Sequence, residues 1–193
     1  DLAEAAAHAT QLHCIFAFEE GYKLKGSQDK PKQLQSILSS YVQSLQSPIS
    51  RVHQDCNSWL KLLRVYQTIF PTSLVTLKIC LNLLSLTRKQ GNLMLANRLN
   101  SVLRDHVSSY PEESLSDFLT LNLQYESILL MHAENKFEDA FTNLWSFVRP
   151  FMVSSASIVS NADDNILKAK ACLKLANWLR RDHSDMNLDI FVL

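Results

Sequence analysis

In two segments of this chain the polar residues fall in narrow stripes, and most of the other positions are apolar. The segment 74–89 carries one such stripe, in steps of four, three and four residues: Lys78, Asn82, Ser85 and Lys89. The segment 165–181 carries a second stripe with the same steps: Lys170, Lys174, Asn177 and Arg181. These steps match the turn of an α-helix and not the alternation of a strand. Because the other positions are nearly all apolar, both helices are predicted to be covered on several sides.

Proline, glycine and short polar runs divide the chain into further helices of hairpin length. The predicted helices cover residues 2–23, 31–45, 50–69, 74–89, 93–108, 110–133, 137–148 and 165–181. Pro150 is expected to close the seventh of them, and a ninth element is expected to begin near Asn187. The one long loop, 154–164, is rich in Ser, Asn and Asp. Such a composition is typical of disorder.

Two tight turns indicate how the helices pair. In each of them a polar turn is followed by a small residue early in the next helix: Gln90-Gly91-Asn92 precedes Ala96, and Glu134-Asn135-Lys136 precedes Ala140. A small residue at this position lets paired helices approach closely, as in a tetratricopeptide hairpin. Repeat units also need burial on several sides. The pattern therefore favours an all-α helical-hairpin solenoid of about eight helices, tetratricopeptide- or HEAT-like, over a closed helical bundle.

The chain is expected to be a single helical-repeat segment, 1–193, of a larger protein. It begins without an initiator Met, and the residues from Leu2 onward already have a helical pattern. It ends on Phe191-Val192-Leu193, a hydrophobic sequence that a natural terminus rarely leaves exposed.

Charge and composition exclude several classes of function. Lys plus Arg and Asp plus Glu both number 19, so the formal net charge is zero. Such a chain has no basic footprint for nucleic acid or for anionic lipid. No apolar run reaches the length of a membrane-spanning helix. The four cysteines, at 14, 56, 80 and 172, are far apart, which predicts reduced thiols in a cytoplasmic or nuclear protein.

No catalytic, cofactor-binding or metal-binding residue is predicted. With three glycines, the chain lacks the glycine-rich phosphate loops, and it also lacks the kinase, hydrolase and zinc-protease signatures. The best metal-like pair is His53 and Cys56 beside Asp55. Zinc would need two further ligands, so a buried cysteine beside a half-exposed histidine is favoured. Three tryptophans lie among apolar neighbours, which favours core packing over anchoring a partner: Trp59, Trp145 and Trp178.

Two stretches combine these turn and helix features. Residues 74–103, with the core LLSLTRKQGNLMLANRL, contain a basic, glycine-containing turn before a helix with a small residue. Residues 166–182 read ILKAKACLKLANWLRRD. Both resemble the FAT region of phosphatidylinositol 3-kinase-related kinases. Three further phrases resemble the branch of this family that acts in nonsense-mediated mRNA decay: RVHQDCNSWLKLLRVYQT, RDHVSSYPEE and HAENKFEDAFTNLWSFVRP. The resemblance spans most of 5–193.

The resemblance implies a non-catalytic scaffold within a large Ser/Thr-Gln-directed protein kinase. The parent would phosphorylate the RNA helicase of nonsense-mediated mRNA decay, with ATP and Mg bound in a kinase domain C-terminal to this segment. The implied partners are that kinase domain, which the solenoid would support and clamp, the neighbouring helical repeats of the same chain and, through the parent, other decay-complex proteins. The family's FAT region also holds inositol hexakisphosphate in a cluster of Lys and Arg, and no position here is matched to that cluster.

The residues by themselves leave two other functions open. A free-standing α-helical repeat adaptor would be a capped monomer that binds peptides or helices of other proteins along the stripe 78–89 or 170–181. A scaffold segment, in contrast, would expose apolar faces at its cut ends, near Leu2 and residues 190–193, and would self-associate or melt early. A helical enzyme is disfavoured because the usual catalytic constellations are missing.

Overall fold

Seven helices make up the described part of the chain. The structure, a computed structural model, describes residues 2–25, 56–71, 73–109, 117–153 and 162–182. In chain order the helices are α1 Leu2–Lys25, α2 Cys56–Ile69, α3 Leu74–Lys89, α4 Leu93–Ser109, α5 Asp117–Ala133, α6 Phe137–Val153 and α7 Ala162–Asp182. Within these ranges there is no strand, and no helix is long and apolar enough to cross a membrane. The predicted all-α fold class is confirmed.

The helix boundaries agree with the sequence pattern where the capping residues are strong. α3 has both of its predicted ends, and the Ser73 Oγ caps its first turn by accepting a hydrogen bond from the Thr76 amide at 3.1 Å. α7 begins at Ala162, so the last three residues of the predicted loop 154–164 are helical. Two aspartates in this first turn suit the positive end of the helix dipole. Several predictions lie outside the described residues: the helix 31–45, the beginnings of 50–69 and 110–133, the rest of the loop and the element near Asn187.

The prediction that Pro150 closes its helix is wrong. α6 continues through Pro150 to Val153. Proline removes one backbone donor, whose acceptor would be the carbonyl of Ser146. Since Ser146 is exposed, water can hydrate that carbonyl. The Phe151 ring packs edge-on against Phe147 with the ring centroids 5.3 Å apart, and it lies against the hydrophobic core. This contact stabilises the turn beyond the proline.

The first of two compact units, residues 1–115, contains α1 to α4, and successive helices in it pack against each other. α3 is buried around most of its circumference by residues of both neighbours. Its buried residues are Val75, Thr76, Leu77, Ile79, Cys80, Leu81, Leu83, Leu84, Leu86 and Thr87. In its polar stripe Lys78, Asn82 and Ser85 are half-buried, and Lys89 is exposed. The predicted burial of this helix on several sides is confirmed.

The second unit, residues 116–193, contains α5, α6 and α7, and each of these helices packs against the other two. All three contribute to its buried core: Tyr125, Ile128, Leu129, Ala140, Leu144, Phe147, Val148, Leu167, Ala171, Leu175 and Trp178. Fully burying one large apolar side chain contributes roughly 1.5–3 kcal/mol. The hydrophobic effect is therefore the main force that holds these three helices together.

Candidate interaction surfaces

The described residues do not form a metal site. No group of three or more His, Cys, Asp or Glu side chains comes together among them. Cys56 begins α2, and its thiol donates a hydrogen bond to the Gln90 side-chain oxygen, with Sγ and Oε1 2.6 Å apart. His53 and Asp55 lie outside the described residues. The Cys56 thiol therefore links the start of α2 to the end of α3.

Two further thiols are held in their protonated form by burial. Burial raises the pKa of Cys80 to about 12. Burial also raises the pKa of Cys14, and the Lys61 ammonium nearby partly offsets this effect. A thiol that keeps its proton at neutral pH is a poor nucleophile and a poor metal ligand. Burial of these two side chains therefore favours the thiol over the thiolate form at neutral pH.

The turn between α3 and α4 has a defined backbone geometry. The Gly91 amide donates to the Arg88 carbonyl at 3.1 Å, and the Asn92 amide donates to the Thr87 carbonyl at 2.9 Å. These two hydrogen bonds form a Schellman cap, which needs a left-handed residue directly after the capping residue. Gly91 supplies it with a φ of 78°. The direction in which α4 leaves α3 is thus set by backbone hydrogen bonds.

The turn between α5 and α6 repeats this geometry 44 positions after Gly91, at Asn135. Asn135 is left-handed with a φ of 64°, and asparagine tolerates this conformation better than most residues. Its amide donates to the His132 carbonyl at 3.1 Å, and the Lys136 amide donates to the Met131 carbonyl at 3.0 Å. The two hairpins therefore use the same cap with different residues.

A fully buried alanine follows each turn at the same step. The Ala96 amide donates to the Asn92 carbonyl, and the Ala140 amide donates to the Lys136 carbonyl, both at 3.0 Å. Both alanine side chains are 0% exposed. The distance between paired helices depends on the side chains at their contact, and a single methyl group permits a close approach. The predicted hairpin unit is confirmed at these two turns.

Two of the three tryptophans lie in the core as predicted. Trp59 and Trp178 are buried, and Trp145 is half-buried beside the core of the second unit. Trp178 stacks on His132 with the ring centroids 4.2 Å apart and the planes 11° from parallel. The Lys174 ammonium lies 5.8 Å from the centroid of the same indole ring. The stacking of His132 on Trp178 was not predicted from the sequence. The two residues are far apart along the chain and meet only because α5 packs against α7.

α1 and α2 approach each other closely at Gly21. A Cβ atom at this position would lie 2.3 Å from the Ile69 Cγ2 and 3.3 Å from the Phe70 Cε2. Carbon atoms that are not bonded lie at least about 3.5 Å apart at their optimal contact. Gly21 is therefore required by the contact between the helices. It was not predicted, although a glycine inside a helical pattern is a signal of such a contact.

α1 presents an apolar face to solvent, which we name the α1 face. It comprises five large side chains that are about half to three-quarters exposed: Leu12 68%, Ile15 56%, Phe16 48%, Phe18 50% and Tyr22 74%. Glu4 and Glu19 are exposed on the same side. Among the α1 side chains that the structure describes, Glu4 and Glu19 are charged. The described side chains of the α1 face are thus mostly apolar, with Glu4 and Glu19 among them.

α7 presents a second apolar face, which we name the α7 face. Ile166 is 52% exposed and Leu173 is 66% exposed. The exposed Ala169 and Ala176 continue this line in steps of three and four residues, and the exposed Lys170 and Arg180 flank it. The predicted burial of this helix on several sides is wrong. The core of the second unit covers one side, and no other residue described in that unit covers the opposite side.

Comparison with known proteins agrees with the helical-hairpin architecture. The family model of the FAT domain matches residues 4–187, which is nearly the whole chain. No curated protein and no solved structure matches at a level that marks a relative. The FAT domain is a non-catalytic helical domain of phosphatidylinositol 3-kinase-related kinases. The matched range includes the two capped turns and almost every helical residue described above, and the chain belongs to the FAT domain family.

Proposed function

We propose that this chain is the scaffold segment of a large Ser/Thr-Gln-directed protein kinase that phosphorylates the RNA helicase of nonsense-mediated mRNA decay. The observation that carries the proposal is the FAT domain match over residues 4–187. The phrases at 51–68, 104–113 and 132–150 support the decay branch of the family. In this proposal the segment supports and clamps the kinase domain of its own chain and takes no part in phosphoryl transfer.

The packing of the helices suits a supporting role. α3 is buried around most of its circumference, so it cannot shift without disturbing its contacts with both α2 and α4. Protein interiors are close-packed and transmit strain. The Schellman caps at Gly91 and Asn135 set the direction of the helix that follows each turn. Helices held in this way would keep the lobes of an adjoining kinase domain at a defined separation.

The first test identifies the parent polypeptide. An antibody to this segment is used to precipitate its native antigen from cell lysate. The precipitate is then assayed on a Ser-Gln peptide and on matched Ala-Gln and Ser-Glu peptides. We expect a very large polypeptide that phosphorylates the Ser-Gln peptide and neither control. A small polypeptide without kinase activity would contradict the kinase assignment. Activity on the peptide with none on the purified decay helicase would contradict the decay assignment alone.

The second test addresses the supporting role within the parent kinase. Ala96→Leu places a large side chain at a closely packed contact, and overpacking of this kind costs typically about 1–3 kcal/mol. We expect a lower kcat on the Ser-Gln peptide, although the substitution lies far from any kinase motif in sequence. Ser101→Leu is the matched control, because Ser101 is exposed on the same helix. Equal kcat values for the two variants would argue against support by this segment.

The parent is also proposed to bind inositol hexakisphosphate and to reside in the cytoplasm with a nuclear fraction. ATP and Mg belong to its kinase domain. Thermal unfolding of this chain with and without inositol hexakisphosphate tests whether the ligand binds this segment. An unchanged Tm would place the ligand elsewhere in the parent. Microscopy of the tagged parent tests the location, and a signal confined to another compartment would contradict it.

A second candidate function is a free-standing adaptor, and the α7 face favours it. Lys170 and Arg180 flank Leu173 in a line that is open to solvent. Such a line fits an acidic amphipathic helix of another protein. Reversal of both charges to Glu should abolish capture of a synthetic acidic helix. Reversal of Lys61 and Arg64, which are exposed on α2, should leave capture unchanged. If neither pair of reversals alters capture, the α7 face is not the adaptor surface.

A further inference from the structure

Basic residues are concentrated in the three helices α2, α3 and α4, although the chain as a whole is neutral. Residues 56–109 contain one acidic residue, Asp105, and seven basic residues: Lys61, Arg64, Lys78, Arg88, Lys89, Arg98 and Arg104. The excess persists when the flanking residues outside the described ranges are counted, because residues 51–115 contain eight basic and four acidic residues. We propose that a groove along α3 binds an extended acidic peptide segment of another protein.

The floor of this groove, which we name the α3 groove, is the polar stripe Lys78, Asn82, Ser85 and Lys89. α3 packs against both α2 and α4, and these two helices do not contact each other among the described residues. Apart from Leu74 and Arg88, every position of α3 outside the stripe is buried. The accessible line of α3 therefore opens between its two neighbours. Its first three side chains are only half-buried, so the line is recessed but open to a ligand.

The groups on this floor are hydrogen-bond donors. No side-chain hydrogen bond or ion pair joins Lys78, Asn82 or Ser85 to another residue in the described ranges. A half-buried lysine can lay its apolar stem along the protein and keep its ammonium group in water. Ammonium, amide and hydroxyl groups can all donate hydrogen bonds to a carboxylate, and those from an ammonium group are the stronger ones. The floor is therefore suited to carboxylates.

The charged residues of α1 do not cancel this excess at the groove. α1 packs against α2, and within the described ranges it contacts neither α3 nor α4. Its charges are also of both signs: Glu4, Glu19, Glu20, Lys23 and Lys25. The acidic residue on the groove helices, Asp105, lies on α4 beside the exposed Arg104. Opposite charge across an interface favours the correct partner, and here that partner is acidic.

The width of the groove suits an extended chain and not a helix. The axes of packed helices are about 8–10 Å apart, so α2 and α4 lie at most roughly 20 Å apart across α3. Each of them fills about 5–6 Å of this distance, which leaves a gap of at most about 10 Å. A helix is about 10–12 Å wide and does not fit. An extended strand needs about 4.8 Å in the plane of its neighbours and does fit.

The spacing of the two lysines predicts the spacing of acidic residues in the peptide. Lys78 and Lys89 are 11 positions apart on one helix. At a rise of about 1.5 Å per residue they are separated by roughly 16 Å along the axis. An extended chain rises about 3.3 Å per residue, so acidic side chains about five positions apart would reach both ammonium groups.

The accessible side chains favour a peptide over single-stranded nucleic acid. Proteins hold single strands by stacking bases on aromatic rings as well as by charge. Among the described residues of α2, α3 and α4, the large apolar side chain that is exposed is Met94, and no aromatic ring is. The α3 groove therefore offers charge and hydrogen-bond donors without a stacking platform.

The test measures the fluorescence anisotropy of a labelled acidic peptide during titration with the purified chain. The peptide is a short Ser/Gly chain that carries two pairs of glutamates about five positions apart. We expect saturable binding that weakens at high salt. Lys78→Glu and Lys89→Glu should each weaken it by about tenfold or more, since each turns an attraction into a repulsion. Lys170→Glu makes the same charge change at an exposed position of α7 and should leave binding unchanged.

A second peptide and an oligonucleotide separate the groove from charge alone. The second peptide carries the same glutamates in one run, which cannot reach both lysines, and we expect it to bind more weakly. Equal binding of the two peptides, an equal loss in the Lys170→Glu chain, or no binding by the native chain would each overturn the proposal. Tighter binding of oligothymidine, lost in the Lys89→Glu chain, would overturn the choice of a protein partner. Circular dichroism checks folding, and the exposed Lys89 keeps the test decisive if Lys78→Glu does not fold.

Discussion

Replacement of Gly21 by alanine tests the close contact between α1 and α2. The new Cβ would lie 2.3 Å from the Ile69 Cγ2, so the two carbons must separate by about 1.1 Å to reach an ordinary contact of 3.4 Å. Ile69 is buried, and its branch at Cβ restricts χ1 in a helix. Overpacking costs about 1–3 kcal/mol, whereas alanine gains about 1 kcal/mol over glycine in a helix interior. The free energy of unfolding should therefore fall by roughly 0–2 kcal/mol.

The matched background for this test is Ile69→Leu, which moves the branch from Cβ to Cγ and so removes the Cγ2 atom. This swap conserves volume and costs less than about 1.5 kcal/mol. In this background we expect Gly21→Ala to be neutral or stabilising, so that the two substitutions are coupled by about 1–3 kcal/mol. Urea unfolding followed by far-ultraviolet circular dichroism measures all four chains. If Gly21→Ala stabilises the native chain as much as the Ile69→Leu chain, the close approach of the helices is refuted.

Three further substitutions test the caps, the ring stack and the buried thiol. Gly91→Ala should lower the free energy of unfolding by about 1–2 kcal/mol, because the φ of Gly91 is 78°. Asn135→Gly at the equivalent turn should not lower it. Equal losses for the two variants in urea titrations would contradict this difference. Trp178→Ala should lower the free energy of unfolding by about 3–5 kcal/mol. Because the two rings stack, His132→Ala should lower it less in the Trp178→Ala chain than in the native chain. If the effects of the two substitutions are strictly additive, the rings do not interact. Burial raises the pKa of Cys80 from 9.0 to about 12, so between these pH values the folded thiol keeps a proton that the unfolded thiol loses. Stability should then fall by about 1.4 kcal/mol per pH unit as the pH rises. Cys80→Ala should remove that part of the slope, and an unchanged slope would show that the thiol does not contribute.

These predictions separate the supporting role of the segment from its surfaces. Gly21, Gly91 and Trp178 act inside the units, and changes there should alter stability without altering charge on either face. Leu12 and Leu173 are exposed, and changes there should leave the free energy of unfolding nearly unchanged. The proposed support of a kinase domain requires a packed interior that keeps its shape.

Local chemistry was sufficient to predict much of this protein. α3 has the ends expected from its pattern, because its N-cap at Ser73 and its turn at Gly91 act over a few neighbouring residues. The same holds for the hairpin turn at Asn135 and for the buried Ala96 and Ala140. The family was also recognisable from sequence, because its motifs in the turns and in the last helix consist of contiguous residues. The decay branch and its partners stay predictions.

Tertiary structure decided which apolar residues are covered and by what. Leu173 and Leu175 have the same side chain and lie two positions apart on α7, yet Leu173 is 66% exposed and Leu175 is 1% exposed. The difference arises because α5 and α6 lie on one side of the helix. The need for glycine at position 21 likewise depends on Ile69 of a neighbouring helix. The continuation of α6 beyond Pro150 depends on the contact of Phe151 with Phe147 and with the core. The tendency of a residue to leave water is its own property and can be read from the sequence, whereas the partner that covers it depends on the arrangement of the helices.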